Sequence, residues 1–365
     1  MDVESRFSLI KEVGEEVLTE DDLKGLLKEK KEFIAYDGFE PSGRIHVAQG
    51  ILRAININKM IKAGARFKML VADWHGWANN KMGGDLDKIQ TVGKYFIEVW
   101  KATGMNLKKV EFIWVSEYVK DENYWKIVMS VARSNTVQRI IRCSQIMGRS
   151  ESDTLSAAQI LYPCMQCADI FYLKADVAQL GMDQRKVNVL AREIAPKLGF
   201  TKPIVVSHHM LMGLSEPPKE DADSVERAIA MKMSKSKPDS AIFMTDTKED
   251  IARKLKKAYC PEKQVKDNPV LEYYKYILFE KHNLAGEDST TITIERPEKF
   301  GGNITFSSYN ELEEAFSEGK VHPADVKNTA AKILDELLQP VREHFEKDKD
   351  AKKLKEKVDS FEITR

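Results

Sequence analysis

The feature that most constrains this chain is a local pattern used more than once: a short apolar run, a glycine-bearing turn, then apolar residues at helical spacing. Phe33-Ile34-Ala35-Tyr36-Asp37 reads as a buried strand, and Gly38-Phe39-Glu40-Pro41-Ser42-Gly43 breaks it. A helix is expected to start near His46 and to run through Ile51, Ile55, Met60 and Ile61. Residues 67–72 repeat the strand pattern, ending at Asp73-Trp74-His75-Gly76. A helix over 86–103 and a strand over 110–115 follow. Residues 175–179 then lead into Gly181-Met182-Asp183-Gln184-Arg185-Lys186. Such alternation predicts an α/β fold, a Rossmann-like doubly wound parallel sheet with right-handed crossovers and ligands at the carboxyl ends of its strands.

Length and composition narrow the class. A chain of 365 residues, 42% hydrophobic and 31% charged, has material for a large core and for two domains. No apolar run approaches the roughly 20 residues that a membrane helix needs. The first 20 residues are acidic and polar, unlike a signal peptide, so a cytoplasmic protein is expected. Lys+Arg and Asp+Glu number 57 each, so any nucleic-acid footprint must be local. Cys143, Cys164, Cys167 and Cys260 are too few for a disulfide framework. Cys164-x-x-Cys167 has no second half to complete a metal site, and small buried thiols are expected.

Three stretches carry chemistry. At the start of the first crossover helix stands His46-Val47-Ala48-Gln49, where the dipole and free backbone N–H groups favour an anion and His46 adds a donor. In Tyr162-Pro163-Cys164-Met165-Gln166-Cys167-Ala168-Asp169, a helix would put Tyr162, Gln166 and Asp169 on one face. That face either lines a polar pocket or meets water. Met231-Lys232-Met233-Ser234-Lys235-Ser236-Lys237-Pro238 is either a solvated loop or a flexible wrap around a polyanion.

The remaining segments set boundaries. Thr19 is placed to cap a helix starting at Glu20, and residues 121–147 form a long helical stretch bearing Arg133, Arg139 and Arg142, with Arg149 just beyond. That stretch reads as a subunit interface, an acceptor-stem contact or a solvated face. Beyond residue 250 helices take over, over 250–259 and roughly 269–284, and a last helix is expected after Pro340. Arg253, Lys254, Lys256 and Lys257 form a single-signed cluster suited to RNA backbone.

Lys232 to Ser236 spell KMSKS, a signature loop of class I aminoacyl-tRNA synthetases, and His46 to Gln49 form a degenerate version of the partner signature His-Ile-Gly-His. Together with Tyr36-x-Gly-Phe-Glu-Pro-Ser-Gly, Tyr-Pro-x-Met-Gln-x-x-Asp and Gly-Met-Asp-Gln-Arg-Lys, they make the chain resemble the tyrosyl-tRNA synthetases of archaea and eukaryotes from about Phe33 to Asn328. Ala48 and Gln49 depart from the usual glycine and second histidine; Gln49 can donate a hydrogen bond but cannot be cationic.

The resemblance implies roles. Tyr36 and Asp169 would hydrogen-bond a substrate phenol, and Tyr162, Gln166 and Gln184 would hold the α-ammonium and its neighbours. Gly38, Ser42, Gly43, His46, Ala48, Gln49, Asp183 and Lys235 would bind ATP, with His46, Gln49, Lys232 and Lys235 stabilising the phosphates during reaction. Arg185, Lys186, Phe300, His322 and Asp325 would contact tRNA. A missing hydroxyl would leave the phenol site unpaired, a discrimination for which tyrosyl-tRNA synthetases are the standard worked example, so no editing domain is needed. The resemblance also implies L-tyrosine, ATP with Mg2+ and tRNA(Tyr) as partners, no dedicated metal site, and a homodimer. Domains are expected at 1–245, catalytic with an inserted helical region over about 121–150, and at 246–365, a mainly helical anticodon-binding domain. The extra RNA-binding module of the bacterial enzymes is expected to be absent. The rivals are a tryptophan–tRNA ligase, a nucleotidylyltransferase and a non-catalytic tRNA-binding paralogue.

Overall fold

Seven-residue strand β2 (Phe33–Phe39) occupies the centre of a six-stranded sheet and alternates its side chains between two apolar layers. Phe33 and Ala35 enter one layer, and Tyr36 enters the other. The same alternation divides Met69 from Leu70 and Val177 from Ala178, so the sheet is covered on both faces. The computed structural model describes residues 1–148, 154–218, 227, 231–233, 238–287 and 290–361.

The elements up to residue 208 are helix α1 (Val3–Val13), strand β1 (Glu16–Leu18), α2 (Glu20–Glu29), β2, α3 (Arg53–Lys62), β3 (Ala65–Val71), α4 (Asp73–Ala78), α5 (Leu86–Ala102), β4 (Val110–Trp114), α6 (Val115–Tyr118), α7 (Glu122–Arg133), α8 (Val137–Cys143), α9 (Ala157–Tyr172), β5 (Val177–Gly181), α10 (Arg185–Ile194) and β6 (Ile204–His208). The sheet order is β1-β6-β5-β2-β3-β4, with β2 to β6 parallel and β1 antiparallel at the edge. Consecutive parallel strands therefore run outward from β2 on one side and from β5 on the other. The reversal between β2 and β5 is the topological switch point where doubly wound sheets hold ligands. The expected Rossmann-like sheet is present.

Several elements differ from expectation for local reasons. The first strand continues through Gly38 to Phe39, because its ladder with β3 is unbroken to Val71. Thr19 does cap α2, its side chain accepting from the Asp22 N–H. The turn expected to open a helix at His46 instead begins with a wide π-helical turn over Ala48–Leu52, and α3 follows. The expected single stretch 121–147 divides into α7 and α8, because Thr136 caps a new helix by accepting from the Arg139 N–H. Strand β1 carries no alternation signal in three residues and exists by pairing with β6.

Beyond the sheet, helices Lys248–Lys257, Pro323–Lys347 and Lys349–Asp359 pack together, and the last lies on α5. The long helix runs through Pro340 without ending there. The stretch 269–284 breaks into Pro269–Tyr273, a π-helical turn over Tyr274–Leu278, and His282–Ala285. A small antiparallel pair, β7 (Ile292–Ile294) and β8 (Ile304–Phe306), interrupts the helices. One apolar cluster runs from Ile10 to Val358 across residue 245. Among the described residues, no helix is long and apolar enough to cross a membrane.

Candidate active site

A cavity of about 270 Å³ opens at the switch point between the carboxyl ends of β2 and β5. Its base is polar. The helix α9 buries Tyr162, Gln166 and Asp169 together, so the polar face lines a pocket rather than meeting water. Pro163 sits within this helix, where its missing N–H removes one rung of the ladder.

Asp169 is fully buried. Its Oδ1 accepts from the Tyr118 hydroxyl at 2.7 Å and from the Tyr124 hydroxyl at 3.0 Å. His75 Nε2 lies 3.0 Å from Oδ2, close enough for an ion pair. Burial lowers the His75 pKa, but Asp169 beside it outweighs that, and the net direction is up. Tyr36 faces the same carboxylate from β2. Burial, then Asp169 and Asp37, push its phenol well above the ordinary range, so it stays protonated and able to donate.

The middle of the cavity is tied by amides and a buried ion pair. Gln166 Nε2 donates to Gln184 Oε1 at 3.1 Å, and Gln184 Nε2 donates to the Ile146 carbonyl at 3.1 Å. Asp37 receives the Gly38 N–H at 2.7 Å and pairs with Arg53 Nε at 3.2 Å. Burial raises Asp37 to about 6 against the pull of Arg53. Glu40, which accepts from Asn79, joins burial in raising the Tyr162 phenol.

The outer end holds the two signature segments. Residues flanking both signatures are stitched together: Val47 N donates to the Ile242 carbonyl and Met244 N to the Ile45 carbonyl, each at 2.9 Å. His46 pairs with Phe243 in an isolated antiparallel bridge. A Cβ on Gly50 would fall within 2.6 Å of Met244 Cγ, so only glycine allows this approach. Gly38, Ser42, His46, Ala48, Gln49, Asp183 and Lys232 all line the cavity, and Gly43 does not. Gly43 instead makes the turn, at φ 70°. Lys232 Nζ lies 2.9 Å from Asp183 Oδ2. Lys235 lies outside the described residues.

The model of the family described as tRNA synthetases class I (W and Y) matches residues 28–339. The chain belongs to that family. It is 51% identical over 367 aligned positions to tyrosine--tRNA ligase 1, cytoplasmic, of Arabidopsis thaliana, covering 100% of this chain and 90% of the relative. It is 43% identical to tyrosine--tRNA ligase of Thermococcus sibiricus, covering all of both chains. Among solved structures, the tyrosyl-tRNA synthetase of Pyrococcus horikoshii complexed with L-tyrosine superposes with TM-score 0.89 at 40% identity, over 98% of this chain and 100% of that one.

Other residues singled out in the sequence lie away from the cavity of this synthetase. Arg185 spends its guanidinium on Glu16, Nε at 2.6 Å and Nη2 at 3.0 Å, and Lys186 donates to Gln145. Phe300 is 61% exposed. His322 caps the helix Pro323–Lys347 by accepting from Ala324 N, and Asp325 is half-buried in its first turn. The basic cluster on the helix Lys248–Lys257 is not the single-signed face expected. Lys254 is buried against Asp246 at 2.5 Å, while Arg253 and Lys257 pair with Asp239. The carboxylates that neutralise them sit outside that helix's own pattern, apart from Asp250. All four cysteines are free and buried.

Sequence reasoning assigned no role to His75, Tyr118, Tyr124, Asp37 or Arg53. His75 and Asp37 stood at strand ends, where position alone flagged them. Tyr118 and Tyr124 carried no signal, since nothing in a sequence shows that two tyrosines meet a carboxylate 45 or more residues away.

Proposed function

We propose that the chain is a tyrosine–tRNA ligase. It activates L-tyrosine with ATP to tyrosyl-adenylate and pyrophosphate, then passes the tyrosyl group to the 3′ end of tRNA(Tyr). The observation that carries this reading is the buried pair of Asp169 and Tyr36 at the base of a cavity whose mouth holds His46, Gln49 and Lys232. A carboxylate acceptor and a protonated phenol suit a ligand hydroxyl, which can donate to one and accept from the other. An indole N–H can only donate, so tryptophan would leave Tyr36 unpaired.

Tyr162, Gln166 and Gln184 hold the substrate's α-ammonium and adjacent atoms, leaving its carboxylate directed toward ATP. That carboxylate is ionised at neutral pH and needs no general base. One of its oxygens forms a bond to the α-phosphorus, the bond to the bridging oxygen of the β-phosphate breaks, and pyrophosphate leaves with the electron pair. Catalysis then rests on alignment and on neutralising charge as it moves to the leaving group. His46, Gln49, Lys232 and Lys235 do this, while Asp183 binds the ribose and Gly38, Ser42, Gly43 and Ala48 shape the nucleotide's bed. Among the described residues, no group of three or more His, Cys, Asp or Glu side chains gathers to hold a metal. Magnesium arrives with ATP as part of the substrate.

Residues 1–245 form the catalytic domain and 246–365 the anticodon-binding domain, where exposed Phe300 offers a ring for an unstacked base and His322 and Asp325 offer hydrogen bonds. Arg185 and Lys186 contact tRNA once Glu16 and Gln145 are displaced. The active form is a cytoplasmic homodimer. Exposed Met129 and Val137 on α7 and α8 support an apolar surface for the second copy. Amino-acid-dependent ATP–pyrophosphate exchange without tRNA tests the reading. Exchange with tyrosine and not with tryptophan or phenylalanine is expected; exchange driven by tryptophan, or none at all, overturns it.

A further inference from the structure

The Asp169 carboxylate is held asymmetrically. Oδ1 receives two phenol donors, Tyr118 from the end of α6 and Tyr124 from α7. Oδ2 is buried and receives neither phenol; His75 Nε2 lies 3.0 Å from it. Tyr118 and Tyr124 pack edge to face at 4.9 Å, and Tyr172 stacks on Tyr118 at 4.8 Å, so the two donors are fixed by an aromatic cluster outside the cavity.

We propose that Tyr118 and Tyr124 are positioning residues that set selectivity for a hydroxylated ring, by filling Oδ1 and leaving Oδ2 as the one acceptor turned to the substrate. The inference rests on the tyrosine reading above. Two donors on one oxygen fix the carboxylate's rotation, so the remaining acceptor cannot turn away when the ligand brings no hydroxyl. Phenylalanine is then rejected because it leaves the buried Oδ2 without the hydroxyl donor it is held to meet, and that penalty depends on the rigidity the two phenols impose. Neither tyrosine need touch the substrate for this to hold.

The test compares tyrosine and phenylalanine in ATP–pyrophosphate exchange for wild type, Tyr118→Phe, Tyr124→Phe and the double variant. Tyr172→Phe serves as control, because it removes a phenol from the same cluster, where it donates to Asp121, without touching Asp169. In the double variant the tyrosine-to-phenylalanine ratio of kcat/KM is expected to fall about 30-fold or more, since hydrogen bonds to charged groups are strong. KM for tyrosine rises while KM for ATP holds. Each single variant falls part of the way, and these carry the comparison if the double variant does not fold. A purely structural role would lower stability and kcat without moving the ratio. A ratio within about twofold of wild type, or an equal fall in Tyr172→Phe, overturns the inference alone. Absence of tyrosine-dependent exchange in wild type overturns both it and the function on which it rests.

Discussion

The two ends of the cavity are built on opposite terms. At the end proposed for the amino acid, Tyr36, His75, Tyr162 and Asp169 are buried, Asp169 Oδ1 takes two phenol donors, and the phenols are pushed to stay protonated. At the end proposed for the nucleotide, Lys232 and Asp183 are partly exposed, and Lys232 already has a carboxylate partner that a bound phosphate would replace. The first is a preformed mould, in which every polar atom missing from a ligand leaves a buried group stranded. The second gathers charges that gain their value only when phosphate arrives. On the proposed reading, specificity belongs to the end that cannot rearrange, and rate to the end that can.

Breaking the mould should cost most. Asp169→Asn lets the amide oxygen keep the Tyr118 and Tyr124 donors but replaces the Oδ2 acceptor with an NH2 donor. Tyrosine-dependent exchange is expected to lose about 4 kcal/mol of transition-state stabilisation, roughly a thousandfold in kcat/KM. Steady-state exchange kinetics check it, and a loss below tenfold would mean that the amino-acid end is not the rigid one. Lys232→Met probes the other end. The expected loss is about 50-fold, carried by kcat with KM for tyrosine unchanged, because the lysine acts on charge that develops only as pyrophosphate departs. A rise in KM for tyrosine without a fall in kcat would erase the distinction between the ends.

The same contrast explains what the sequence made legible. The proposed nucleotide end is written in contiguous letters, His46 to Gln49 and Lys232 to Ser236, as expected of a phosphate site, which needs backbone turns and short runs. The α9 face was also legible, since helical periodicity places Tyr162, Gln166 and Asp169 together whatever surrounds them. What remained hidden was supplied by distant elements. Tyr118, Tyr124 and His75 reach Asp169 from three separate helices, and no spacing rule links them. The partition of the C-terminal charges was misread for a related reason. Lys254 looks like one member of a basic run, yet Asp246 and the Ala241 carbonyl lie over it and bury it. Edge strand β1 and the pair β7–β8 were missed because three residues cannot display a period of two convincingly.

A third substitution separates scaffold from chemistry. Gly50→Ala drives a Cβ into the buried side chain of Met244, forcing apart the segments that flank the two signatures. Overpacking there is expected to cost about 2 kcal/mol of stability, measured by chemical denaturation. Exchange with tyrosine should weaken through the nucleotide, with KM for ATP rising more than KM for tyrosine. Equal effects on the two constants would show the cavity moving as one body.

The smallest expected effect uses pH to compare the walls directly. His208 lines the cavity beside Asp183, and burial followed by Arg53 lowers its pKa to about 3. Folded chain therefore keeps this imidazole neutral where the unfolded chain protonates it, from about pH 6.5 down to about 3. Over that window the unfolded state binds more protons, so stability falls as pH falls. Asp37, in the same cavity and raised to about 6, works in the other direction: between about pH 3.8 and 6 the folded state holds the extra proton, and acidification favours folding. The two contributions oppose each other between about pH 4 and 6. His208→Gln keeps a hydrogen-bonding side chain opposite Gln179 but deletes the titration. Denaturation midpoints measured from pH 7 to 4 should then show the variant gaining about 1 kcal/mol relative to wild type at the acid end, with the cavity's water screening the charge. A variant whose acid response parallels wild type would mean that His208 meets solvent as freely as Lys232 does, and that the preformed wall ends before it.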